Sequence, residues 1–146
     1  MGTEAQTTSA TAMPADLHGF EESYVALFGA LPPLPAAKFA FGAGVDPEAL
    51  RLAERFRQDA FYSDVFDVKT TQLLCFAMLL ATGDGAARWH AMACRKAGAS
   101  WRELFKVAEL ASAVASLGPL NNGGSILKGV RDDEGAGTAP DGKDGR

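Results

Sequence analysis

The side chains of this chain best suited to catalysis occur in one stretch, ATGDGAARWHAMACRKAGAS at residues 81–100. His90 is there, and the ordinary pKa of a histidine, about 6.5, suits proton transfer near neutral pH. Cys94 follows one helical turn later, a spacing at which a histidine can activate a thiol. A metal site would need further ligands, which the nearby sequence does not supply, so no metal is expected. The spacing alone leaves open a catalytic histidine, a histidine–thiol pair and an ordinary packed histidine.

The segment VKTTQLLCFAMLLAT at 68–82 begins with polar residues that could also contribute to a site. Lys69 and Gln72 stand in its first turns, where polar side chains could face into the domain. Lys69 could neutralise a carboxylate. The rest of the segment is apolar on every side, which is typical of a helix at the centre of a domain or of an oligomer.

The elements that position these residues are predicted to be helices throughout. No segment shows the alternation expected of a strand, and helix caps and breakers recur at short intervals. Those signals are Asp16, Pro32–Pro33, Asp46–Pro47, Asp67, Gly83, Asp84, Gly98 and the capping box Ser100–Glu103. The helix after Pro47 is predicted to bury the stripe Leu50, Ala53, Phe56, Ala60 and Phe61. Gly118–Pro119 is expected to end the last long helix near Leu117, before a loop and short helix at 120–130. We therefore predict an all-α, compact bundle of about six helices.

Composition limits the other possibilities. Residues 1–15 and 131–146 are predicted to be disordered tails around one domain at 16–130. The chain has a net charge of −4 and a pI of about 5.1, and its few cations are scattered, so no nucleic-acid partner is expected. No signal peptide or membrane-spanning run is recognised, and two cysteines make no disulfide framework. The protein is expected to be cytoplasmic, with no membrane partner.

The order of the motifs is similar to that of a known family. The chain first contains the segment SYVALFGALPPLP at 23–35. Two motifs follow it, D-x-K-T-x-x-L-L at 67–74 and H-x-x-x-C-x-x-x-G-x-S-x-x-E at 90–103. Together, over roughly residues 20–128, these segments resemble the carboxymuconolactone decarboxylase family, whose fold is that of the alkyl hydroperoxidase D proteins. The redox members carry a C-x-x-C pair, but Gly83 and Ala86 occupy those positions here, so a dithiol peroxidase is not expected. Thr71–Gln72 stands where the family tends to have an acid.

The resemblance implies a small-molecule enzyme that assembles as a homotrimer or homohexamer and needs no cofactor. Its expected substrate is a small, anionic, carboxylated lactone from aromatic-compound breakdown, and the expected reaction is decarboxylation, with isomerisation or hydrolysis as alternatives. His90 is then the proton donor or acceptor, assisted by Gln72 and Lys69. The expected substrate-binding residues are Trp89, Cys94, Phe61, Tyr62 and Phe66. Two other functions remain open: a non-catalytic small-molecule-binding or structural oligomer, and a thiol-dependent activity of Cys94.

Overall fold

The computed structural model describes residues 13–137, which form six α-helices and no strand. The helices are α1 (Ala15–Phe28), α2 (Pro33–Val45), α3 (Pro47–Phe61), α4 (Val68–Thr82), α5 (Ala87–Lys96) and α6 (Trp101–Gly137). The prediction of an all-α bundle of about six helices is confirmed. The predicted disordered tails fall largely on residues 1–12 and 138–146, which lie outside the described residues.

The predicted helix starts are confirmed where a side chain caps the backbone. An Asp46 carboxylate oxygen accepts a hydrogen bond from the Ala49 backbone N–H at 3.0 Å, and Asp67 accepts one from Thr70 at 2.7 Å. The capping box before α6 is complete. The Ser100 hydroxyl oxygen accepts from the Glu103 N–H at 3.1 Å, while the Glu103 carboxylate accepts from the Ser100 N–H at 2.7 Å. These bonds satisfy donors that the first turn of a helix leaves free.

Two helices, α1 and α5, begin at positions that differ from the prediction. Helix α1 begins at Ala15, so Asp16 lies within its first turn instead of capping it. There the Asp16 carboxylate accepts a hydrogen bond from Arg51 Nε at 2.6 Å. Asp84 accepts from the Ala86 N–H at 2.8 Å, but regular helix α5 begins only at Ala87.

The end of the last helix was predicted wrongly. Helix α6 runs through Pro119 to Gly137 without the predicted break or loop. Proline fixes a helix-compatible φ and removes one backbone donor, so its cost is local. The residues around Pro119 are exposed, so no packed neighbour opposes the adjustment. Residues 131–137, assigned above to a tail, form the last turns of this helix.

The helices pack around two apolar clusters. The first joins α1, α2, α3 and α5 and contains Leu17, Tyr24, Leu27, Phe28, Phe39, Leu50 and Ala93. The second lies where α4, α5 and α6 meet, around Cys94, Ala99 and Leu104. A four-residue turn at 83–86 folds α5 back against α4, and Gly83 has a left-handed φ of 71° that favours glycine. The two helices that carry Gln72 and His90 therefore lie side by side.

Helix α4 is only partly enclosed within this chain, which does not place it at the centre of the domain. Its fully buried residues are Thr71, Gln72 and Cys75, whereas Leu74 and Met78 are exposed. Helix α6 buries no residue beyond Ala111 and exposes an apolar stripe of Leu110, Val114 and Leu117. A single subunit thus leaves much apolar surface in contact with water. In the described part of the chain, no helix is long and apolar enough to cross a membrane.

Candidate active site around His90

A buried hydrogen bond joins two of the three predicted catalytic residues. The Nδ1 atom of His90 on α5 lies 2.8 Å from Oε1 of Gln72 on α4. Gln72 is 1% exposed and His90 is 8% exposed. Because an amide oxygen only accepts, His90 must donate through Nδ1–H, which leaves Nε2 as the acceptor in the neutral ring. Nε2 has no hydrogen-bond partner among residues 13–137.

Two aromatic side chains also pack against the imidazole ring of His90. The rings of Phe28 and Phe61 meet the His90 ring edge-on, with centroid distances of 5.2 and 5.7 Å. Burial among these rings lowers the pKa of His90 below its ordinary value, although nearby Asp84 acts in the opposite direction. Near neutral pH the ring is therefore mainly uncharged, with a lone pair on Nε2.

His90 lines a cavity of about 470 Å³, which we call the His90 cavity. That volume falls within the range of small-molecule sites in proteins, roughly 300–1,000 Å³. Its remaining lining residues are Tyr24, Phe28, Pro32, Pro33, Leu34, Pro35, Arg57, Phe61, Asp84, Gly85, Ala86 and Trp89. The cavity thus has mainly apolar and aromatic walls and a few polar groups, as expected of a site for a small organic ring.

One wall of the cavity belongs to a charged network, the Glu54 cluster, which comprises Tyr24, Lys38, Glu54 and Arg57. Glu54 is completely buried and accepts hydrogen bonds from Lys38 Nζ, from the Tyr24 hydroxyl at 3.1 Å and from Arg57 Nε at 2.8 Å. Burial acts to raise the pKa of Glu54, but the bonds from Lys38 and Arg57 outweigh it and hold that pKa below its ordinary value. The carboxylate is therefore ionised near neutral pH.

Sequence reasoning missed this cluster because it placed only part of the buried face of α3 correctly: Leu50 is buried and Phe61 is partly buried as predicted, but Ala53, Phe56 and Ala60 are exposed. Phe56, predicted to be buried, is 76% exposed, whereas Glu54 is 0% exposed. The signal was present in the (i, i+3) pair Glu54–Arg57, whose charges compensate each other and so can be buried together. Lys38 and Tyr24 come from α2 and α1, and no local pattern shows that they meet this pair.

A comparison with protein-family models gives one match, the carboxymuconolactone decarboxylase family, over residues 47–122. The match spans just over half of the chain and includes Gln72 and His90. The chain belongs to this family. Its all-α, alkyl hydroperoxidase D-like fold agrees with the six helices described above. Neither the curated proteins nor the solved structures that were compared include a significant match.

The family match covers only part of the site. Arg57, Phe61, Asp84 and Trp89 lie within it, as does the Gln72–His90 pair. The walls from α1 and from the proline segment at 32–35 lie outside it. Within the decarboxylase family, this member therefore shapes its cavity partly with residues that the family model does not describe.

Of the predicted substrate-binding residues, the structure brings Phe61 and Trp89 into the His90 cavity. It does not bring in the other three. Tyr62 and Phe66 are 45% and 51% exposed and do not line the cavity, because they follow the end of α3. Cys94 is fully buried in the second apolar cluster, and burial raises its pKa to about 11. A thiol with that pKa is protonated and a poor nucleophile near neutral pH.

Lys69 also lies outside the His90 cavity. Its Nζ forms an ion pair with Glu103 Oε1 at 2.5 Å, next to the capping box of α6. That contact, together with the bonds to Ser100, lowers the pKa of Glu103 to about 2. Lys69 instead lines a separate depression between α1, α4 and α5. Within residues 13–137, no group of three or more His, Cys, Asp and Glu side chains is arranged to hold a metal ion.

Proposed function

We propose that this protein is a cofactor-independent lyase that acts on a small carboxylated lactone or a related ring, with His90 as the group that moves the proton. The observation that carries the proposal is the fixed orientation of His90, which lines an apolar cavity of ligand size and whose Nδ1–H is held by Gln72, so that Nε2 stays free to accept a proton. The family match supports a decarboxylase-like or related activity.

The hydrogen bond from His90 to Gln72 suits repeated proton transfer. The Gln72 carbonyl accepts from Nδ1–H whether the ring is neutral or protonated, so a proton can join or leave Nε2 without breaking that bond. Gln72 does not itself exchange a proton near neutral pH. In this arrangement Gln72 positions the ring, and the proton on Nε2 is exchanged with water or with the substrate.

A decarboxylation in this cavity would proceed in two steps. The bond between the ring carbon and the carboxylate breaks, CO2 leaves, and the electron pair delocalises into the conjugated lactone carbonyl as an enolate. The enolate carbon then takes a proton from Nε2–H of the protonated form of His90, a minor form near neutral pH, which is restored when Nε2 takes up a proton from solvent. The lowered pKa of His90 makes the protonated ring a stronger acid than an ordinary histidine, while it also reduces the fraction of protein that carries this proton. An isomerisation would use the same Nε2 first as a base and then as an acid.

The test of this proposal is turnover of carboxymuconolactone, followed by NMR as loss of substrate and appearance of the decarboxylated enol-lactone. His90→Ala should lose at least about 10²-fold in rate, the lower end of the usual contribution of general acid–base catalysis. His18→Ala is the matched control, because His18 is exposed on α1 and does not line the cavity. Equal rates for wild type and His90→Ala would exclude His90 as the catalytic group.

One observation favours a second candidate, a non-catalytic small-molecule-binding or structural oligomer. The partner of His90 is an amide, which cannot relay a proton from the ring to solvent. In that case a ligand would raise the melting temperature, while panels of carboxylated lactones and keto acids would show no turnover. A thiol-dependent activity of Cys94 has no support in the geometry, since the buried thiol does not line the cavity.

We further propose that the subunit assembles as a homotrimer or homohexamer through its exposed apolar faces. Leu110, Val114 and Leu117 are 57%, 71% and 50% exposed and form one stripe along α6, at intervals of four and three residues. Burying such a stripe against other copies would stabilise a helix that its own subunit leaves unsupported. Light scattering should give three or six times the subunit mass, and the double variant Val114→Asp/Leu117→Asp should give a smaller species. A monomeric wild type would contradict this assembly.

A further inference from the structure

One donor of Arg57, a residue that lines the His90 cavity, lacks an acceptor. Nη1 of Arg57 is fully buried and makes no hydrogen bond, and it is the one buried side-chain nitrogen or oxygen of residues 13–137 in that condition. The other guanidinium donors are engaged: Nε with Glu54 and Nη2 with the Ser23 hydroxyl. Leaving a buried donor unpaired costs free energy, and native structures keep few such groups.

The charge within the Glu54 cluster is also unbalanced. The Glu54 cluster contains two cations, Lys38 and Arg57, and one anion, Glu54. The side chains of Arg57 and Glu54 are only 12% and 0% exposed, whereas that of Lys38 is 41% exposed, so water solvates Lys38 far more than Arg57. Asp84, the other ionisable group of the cavity besides His90 and Tyr24, accepts from the Ala86 backbone and forms no ion pair with Arg57 in the described residues. Within the described residues Arg57 therefore has one anionic partner, Glu54, which it shares with Lys38, and the carboxylate of a ligand would supply a second.

The position of Arg57 relative to His90 matches an aromatic or ring-shaped acid. The guanidinium carbon lies 3.9 Å from the ring centroid of Tyr24 and 5.9 Å from that of Phe61. Phe61 in turn lies 5.7 Å from the His90 ring, so its side chain spans the distance between the cation and the imidazole. A ring packed along Phe61 would place an attached carboxylate at one end and a reacting carbon at the other.

We propose that Arg57 binds the carboxylate of a ring-shaped organic acid in the His90 cavity, through the unpaired Nη1 of a guanidinium that shares its one anionic partner, Glu54, with Lys38. Because Nη1 is covered, the guanidinium turns toward the cavity when the acid binds, while Nε keeps its bond to Glu54. This assignment rests on the proposed function for the choice of cavity, but it concerns binding and not turnover. Arg57 takes the role that the sequence analysis gave to Lys69.

The assignment is tested by binding of two probes to the full-length protein. Benzoate carries the carboxylate, and benzamide has nearly the same shape without the charge. Calorimetry should show that benzoate binds at least about tenfold more tightly than benzamide, the usual effect of a hydrogen bond to a charged group. NMR should show a shift of the Arg57 Nε–H signal when benzoate is added. These measurements need no variant, so they remain decisive if changes at Arg57 prevent folding.

Arg57→Lys adds a second measurement, because it keeps the charge that Glu54 requires and removes the planar donor pair. It should weaken benzoate binding by about tenfold to a hundredfold and leave benzamide binding unchanged. Arg51→Lys is the matched control, since Arg51 is on the same helix, pairs with Asp16 and does not line the cavity. Absence of benzoate binding at millimolar concentration, equal binding of both probes, or equal loss in the two lysine variants would overturn the assignment. Selective benzoate binding together with absent turnover would uphold it and contradict only the lyase.

Discussion

Replacing Gln72 by glutamate should raise the pKa of His90 while keeping the side-chain length and the hydrogen bond. In the wild-type protein Nδ1 lies 2.8 Å from a neutral amide oxygen. A carboxylate at the same place would put a negative charge about 4 Å from the imidazolium charge. At an effective dielectric constant of about 20, that attraction is about 4 kcal/mol, or about three pKa units. Burying the new carboxylate at a position that is 1% exposed opposes the gain, so we expect a rise of about one to two units.

NMR titration of the histidine ring protons measures this effect directly. The chain has two histidines, His18 and His90, so the spectrum is simple to assign and His18 serves as an internal reference. In the wild-type protein the His90 signal should give a pKa below that of an ordinary histidine. In Gln72→Glu the pKa of His90 should be higher than in the wild type. Gln58→Glu is the charge-matched control, because Gln58 does not line the cavity. If Gln72→Glu leaves the titration of His90 unchanged, the hydrogen bond that fixes Nδ1 is absent and the assignment of Nε2 as the reactive atom fails.

Three further predictions follow from the described contacts. Glu54→Gln should lower the free energy of unfolding by about 3 kcal/mol, because it leaves two partly buried cations without an anion. Urea denaturation measures this loss, with the exposed Glu48→Gln as the control. A loss equal to that of the control would contradict the burial of Glu54. The folded-state pKa of His90 is lowered, so the unfolded state takes up more protons as the solution is acidified. The free energy of unfolding should therefore decrease as the pH drops through about 6.5. His90→Gln should lack this decrease, and a decrease that persists in this variant would belong to another group. Iodoacetamide should not modify Cys75 or Cys94 in the native protein, since both thiols are buried and burial raises the pKa of each. Rapid modification together with loss of activity would contradict this prediction and support a thiol-dependent mechanism.

The helical architecture could be predicted because its determinants are local. Capping residues such as Asp67 and the Ser100–Glu103 box satisfy the first turns of the helices that follow them, and that chemistry can be recognised in the sequence. The length of α6 could not be predicted, because the effect of Pro119 depends on whether neighbouring elements crowd the helix. In the structure none does.

The site could be predicted only in part, for a similar reason. His90 and Gln72 are 18 residues apart, and their contact follows once α4 and α5 are joined by a short turn. Arg57 and the Glu54 cluster depend on contacts between α1, α2 and α3, which no local pattern specifies. Lys69 has a suitable charge but lies beside Glu103 and away from the cavity, because residue type alone does not fix where a side chain lies.

The most direct test of the central claim is a turnover measurement with carboxymuconolactone in heavy water. NMR follows CO2 loss and the entry of deuterium at the carbon next to the lactone carbonyl. The proposed mechanism predicts decarboxylation with one deuterium incorporated by the wild type and by His18→Ala, and at least about a 10²-fold slower reaction by folded His90→Ala. Unchanged decarboxylation by His90→Ala, or no reaction of the wild type with this lactone or related carboxylated rings, would contradict it.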